Sequence, residues 1–180
     1  MYQKKKIFNM IFALIVLSIL LAFLRPRSFL KSIDTEIKSM SVVIIENSLE
    51  HEQTEYTFNV NDPEFHEIMD VLDRYPYHIS LGTISNRIKD TAHIEDNKAG
   101  YWLDIYMYTE PDGYGDCYSI LSGGTGELIF NDGVYRMGYW GNKTHLNFMG
   151  EICQALTSDG SSAMNNAAKG DVPMAHVITS

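Results

Sequence analysis

Apolar residues follow three patterns along the chain: one unbroken run, several period-two alternations, and two stretches with helical spacing. The run is Ile7 to Leu24, IFNMIFALIVLSILLAFL, in which only Asn9 and Ser18 are polar. As an α-helix it would extend roughly 27 Å, close to the hydrocarbon thickness of a bilayer. It therefore predicts one transmembrane helix over residues 7–24. Lys4, Lys5 and Lys6 stand before it in a basic head, residues 1–6, and Arg25 and Arg27 after it. A cleaved secretory leader is the competing reading. The run is longer than the usual apolar core of a leader, and Ala22-Phe23-Leu24-Arg25-Pro26 offers no small-x-small cleavage site, so a retained signal anchor is expected.

Beyond the span, residues 25–39 read as a polar juxtamembrane stalk and residues 40–156 as a single domain. The β-branched run Val42 to Ile45 predicts a strand, and the acidic stretch Glu46 to Glu55 a connection. Tyr56, Phe58 and Val60 alternate with polar residues in a second strand. A helix over Pro63–Arg74 follows, with Asp62 as cap, proline in the first turn, and Phe65, Ile68, Met69 and Leu72 on one face. From Tyr77 to Ala99 the periodicity is lost, which leaves a short strand near Ile84–Ile88 or a functional loop.

Tyr101 to Tyr108, YWLDIYMY, alternates again. It assigns Tyr101, Leu103, Ile105 and Met107 to the core and Trp102, Asp104, Tyr106 and Tyr108 to the opposite face. Cys117 to Leu121, Leu128 to Phe130 and Val134 to Tyr139 continue as strands, with Asp132-Gly133 as a hairpin turn. Thr144 is the expected cap of a last helix carrying Leu146, Met149, Ile152, Cys153 and Leu156 on one side. Residues 157–180 have too few large apolar side chains to offset the entropy of ordering and read as a disordered tail. The fold class is thus α+β: an N-terminal transmembrane helix, then one domain with a mostly antiparallel sheet packed by two helices.

Charge sharpens this layout. Six of the 14 basic residues lie at or before Lys31 and all 23 acidic ones after it, so the remainder holds eight basic against 23 acidic, a net of −15. An acidic domain of this kind is repelled by nucleic acid and by anionic lipid, which leaves the membrane, through residues 7–24, and a protein or cell-wall component as the expected partners. The lysines before the span favour an inward N-terminus and an extracytoplasmic C-terminal domain. Cys117 and Cys153 form no CxxC, so buried free thiols or a disulfide between them remain open.

Motifs for chemistry are sparse. Ser122-Gly-Gly-Thr-Gly126 lacks the Lys-Ser/Thr of a P-loop and joins two predicted strands, so a hairpin turn is the expectation. Glu110, Asp112 and Asp116 do not have EF-hand spacing. The six histidines, His51, His66, His78, His93, His145 and His176, show no metalloenzyme spacing and read as scattered surface residues. No nucleophile motif is present, and no cofactor is implied. Asn142-Lys143-Thr144 has the form of a glycosylation sequon. The strongest candidate for binding is the face bearing Trp102, Asp104, Tyr106 and Tyr108, where flat rings beside a carboxylate could hold a sugar or peptide unless a helix covers them.

A basic head, one span and a small acidic domain ending in an NDGVYRMG-type hairpin and a short helix resemble the uncharacterised single-span surface proteins of low-GC Gram-positive bacteria. The resemblance implies a cell-surface domain without specifying its ligand. The expected function is a membrane-anchored extracytoplasmic binding or regulatory domain. A bacteriocin-immunity type interaction protein and an enzyme without a recognisable motif are the alternatives.

Overall fold

In the computed structural model, which describes residues 2–46, 52–80, 83, 99–113 and 115–157, helix α1 covers Tyr2–Leu24. It is long and apolar enough to cross a membrane, and its side chains from Ile7 to Leu21 are exposed, covered by nothing else among the described residues. Its Ser18 hydroxyl donates to the Leu14 carbonyl at 2.8 Å, so that polar group is satisfied within the helix, as an apolar surrounding requires.

Strands β1 (Ser39–Glu46) and β2 (Gln53–Asn59) precede α2 (Pro63–Arg74), and the two-residue β3 (Tyr77–His78) follows it. Then come β4 (Tyr101–Tyr108), β5 (Cys117–Ser122), β6 (Glu127–Phe130), β7 (Gly133–Met137) and α3 (Lys143–Ala155). The seven strands form one sheet in the order β2-β1-β4-β5-β6-β7-β3, every neighbouring pair antiparallel. The fold is therefore α+β, with β4 to β7 as a meander and three α-helices among the described residues.

The core lies on one face of this sheet. Met40 and Val42 of β1, Leu103, Ile105 and Met107 of β4, Ile120, Leu128 and Phe130 alternate onto it, as period two demands. Phe65, Ile68, Val71 and Leu72 of α2 and Phe148, Met149 and Ile152 of α3 join the same cluster, so both helices pack on that one side. Tyr101 also faces it, and its hydroxyl accepts a hydrogen bond from the Cys153 thiol at 3.5 Å.

Several expectations are corrected. The segment expected as a stalk is part of the domain: Phe29, Ile33 and Ile37 are buried in the core, and Phe29 packs on Tyr77, Phe130 and Phe148. Arg27 pairs with Tyr77 through both backbone hydrogen bonds, 2.7 and 3.0 Å, so only Arg25 and Pro26 separate α1 from the sheet edge. β3 is an added strand, too short to show any periodicity. β2 begins earlier than its apolar pattern suggests, since polar Gln53, Thr54 and Glu55 still pair with β1; charge on such an edge strand discourages pairing with other chains.

The β6–β7 turn is carried by Asn131 and Asp132, with the positive φ at Asn131, while Gly133 is already paired with Phe130. Asp62 holds the N-cap position of α2 as expected, but its carboxylate accepts from the Asn59 backbone N–H at 2.7 Å, closing the turn before the helix, and makes no cap bond; for α3 the N-cap is Asn142, not Thr144, again without a side-chain cap bond. The strand expected near Ile84–Ile88 lies outside the described residues, as does the tail from residue 158.

Candidate functional site

The second face of β4 bears Trp102, Asp104, Tyr106 and Tyr108, opposite to Leu103, Ile105 and Met107. The register builds its surroundings. Asp104 lies between Val43 of β1 and Leu121 of β5; Trp102 is opposite Ile45; Tyr106 lies between Ser41 and Ser119; and Tyr108 between Ser39 and Cys117. Glu55, opposite Val43 on β2, accepts a hydrogen bond from Ser41 Oγ at 2.5 Å. Among the described residues no helix lies on this face. The four candidates thus share one side of one strand, with the three aromatics half-buried and Asp104 only 8 % exposed.

Asp104 is the unusual group. Flanked by Val43 and Leu121, its carboxyl makes no hydrogen bond or ion pair among the described residues, and burial raises its pKa from 3.8 to about 6. Burial also raises the Tyr106 hydroxyl, followed by the negative charges of Asp104, Tyr108, Cys117 and Glu55. Buried carboxyls are normally paired. An unpaired one beside aromatic rings, with its oxygens not sealed from solvent, can accept from a ligand's donor.

Other candidates resolve into structure. Two histidines expected at the surface are buried. Both ring nitrogens of His78 lie within 3.0 Å of carbonyl oxygens, those of Ile79 and Gly138. His145 is enclosed between Ser122 and the loop to β6: its Nδ1 accepts from the Gly126 backbone N–H at 3.0 Å and its Nε2 lies 2.5 Å from Ser122 Oγ. A backbone N–H can only donate, so Nδ1 is unprotonated and the ring's proton sits on Nε2, directed at the serine. That is the reverse of a base removing a serine proton, and both residues are fully buried. Burial first, and the Arg136 charge second, lower the His145 pKa to about 4. Sequence reasoning missed this pair because its members are 23 residues apart and share no motif.

The glycine loop is bound to α3. A Cβ on Gly124, at φ +75°, would come within 2.7 Å of Leu146 and 3.0 Å of Ala99. Asn142 Nδ2 donates to the Gly124 carbonyl at 3.1 Å, so the sequon's amide already serves the fold. Glu110 pairs with Lys38 at 3.6 Å, and among the described residues no three acidic, histidine or cysteine side chains converge as a metal site would require. Cys117 and Cys153 are free thiols: Cys117 is exposed on the second face, and Cys153 is buried on the helix packed against the first.

Comparisons of the chain with family models, with curated proteins and with solved structures give no match. Functional reading therefore rests on the site itself.

Proposed function

We propose that the chain is a membrane-anchored binding domain, held on the extracytoplasmic side by α1, that takes its ligand on the face of Trp102, Asp104, Tyr106 and Tyr108. The observation that carries this is the position of Asp104: a buried carboxyl without a partner among the described residues, on the side of the sheet opposite both packed helices. The aromatics supply flat apolar surface for stacking. The carboxyl supplies an acceptor, so the ligand class that fits offers hydroxyl or ammonium donors beside an apolar plane, as a sugar or peptide does. The apolar length of α1 and the lysines before it support the anchor and its orientation.

The test is capture. Full-length chain in lipid nanodiscs is immobilised and exposed to cell-wall fragments and membrane extract, with wild type compared against Trp102→Ala and Asp104→Asn. Both variants should lose retained ligand by about tenfold or more with no fall in melting midpoint. Equal capture by all three chains, or none by the wild type, would remove the face as a binding site. A large fall in midpoint for Trp102→Ala would make that ring a packing residue.

A further inference from the structure

Apart from α1, the large apolar side chains that stand exposed among the described residues are Val60, Tyr139 and Trp140, and Trp140 is 91 % exposed. Tyr139 and Trp140 are adjacent at the tip of the loop from β7 to α3, and the loop is firmly held. Gly138 accepts from His78 Nε2 at 2.9 Å, Gly141 accepts from Arg136 at 3.1 Å, and Tyr139 stacks on the His78 ring at 4.8 Å with 9° between the planes. At Gly138, φ +75°, a side chain would be strained and its Cβ would lie 2.7 Å from Thr144 Oγ1, which keeps the turn tight. Such a loop presents an indole to its surroundings without using it in the fold.

The location says what the indole meets. Tyr139 and Trp140 line one cavity with Pro26, and Pro26 is two residues past Leu24, the end of α1. Two residues reach at most about 7 Å, and a headgroup layer is roughly 5–8 Å thick on each side of the hydrocarbon. With α1 across a bilayer, Pro26 lies in that layer and the loop beside it is brought to the same depth. Tryptophan and tyrosine are the side chains that favour this depth, with the ring apolar and the N–H or O–H wet. The local charge agrees: Leu24 to Arg27 and Met137 to Lys143 contain Arg25, Arg27 and Lys143 and no acidic residue, although the domain as a whole is strongly acidic.

We propose that Trp140 and Tyr139 insert into the headgroup layer of the bilayer that α1 spans, giving the domain a second point of attachment and fixing its orientation on the membrane. The proposal rests on reading α1 as a membrane anchor. A domain attached by one flexible joint would tumble; two contacts, at Pro26 and at the loop tip, hold it in one pose.

The experiment uses the full chain in phosphatidylcholine vesicles, prepared with ordinary lipid and with lipid brominated near the top of the acyl chains. Tryptophan emission of the wild type minus that of Trp140→Phe isolates Trp140, since Trp102 is the only other tryptophan. The Trp140 difference should be quenched about twofold or more by the brominated lipid and lie at shorter wavelength than that of a water-exposed indole. A Trp140 emission unaffected by bromine, in protein that floats with the vesicles and resists alkaline extraction, overturns the proposal and leaves the anchor standing. Protein that fails to float overturns both.

Discussion

Two buried titratable side chains push stability in opposite directions with pH. Asp104 has a folded pKa near 6 against 3.8 in an exposed chain, so between about pH 4 and 6 the native state holds more protons than the unfolded one. Its effect is a stability that falls as pH rises through that window, by roughly 3 kcal/mol in all. His145 is held near 4 against 6.5, so on acidification the unfolded chain is protonated first; its contribution is complete above about pH 6.5 and is lost, with similar size, as pH falls toward 4. The two largely offset one another in the native protein. Asp104→Asn should accordingly raise stability at pH 7 by about 1–3 kcal/mol and uncover a steep loss between pH 6.5 and 4. Urea unfolding at a series of pH values checks this, and a variant that tracks the wild type at every pH would contradict the burial of Asp104.

At the scale of elements, legibility followed length and periodicity. β1, α2 and β4 to β7 carry several turns of period two or 3.6, and the side of β4 holding the four candidate residues was readable from alternation alone. β3 has two residues and exists because it pairs with β7 and with Arg27, a long-range relation that no local pattern encodes. In sequence the segment from Phe29 to Ile37 resembles a stalk because its apolar residues are separated by polar ones. Burial of Phe29 against Tyr77, Phe130 and Phe148, and of Ile33 and Ile37 in the same cluster, nonetheless makes it part of the core. The lack of a partner for Asp104 among the described residues was equally out of reach, because it depends on Val43 and Leu121 arriving from two other strands. A consequence follows for the segment: Phe29→Ala should cost about 3–5 kcal/mol, the usual loss for a buried phenylalanine. An unchanged unfolding midpoint would return residues 25–39 to the role of a loose stalk.

For the whole molecule, the proposed account joins an exposed apolar helix, a domain packed within two residues of its end, and the face proposed for binding on the second side of the sheet. Its central claim is that the domain stands outside the membrane to meet a partner, and the two cysteines give a direct probe of that claim. Cys117 is exposed on the domain surface, whereas Cys153 is buried and its thiol is engaged with Tyr101. Partial desolvation of the thiol raises the Cys117 pKa, so labelling is best run at mildly alkaline pH, where more thiolate is present. Intact cells expressing the full chain are treated with a membrane-impermeant maleimide and the label per chain is measured by mass. The account predicts one label, on Cys117, present before any permeabilisation and absent in Cys117→Ser; labelling of the wild type only after the membrane is breached would place the domain inside and contradict it.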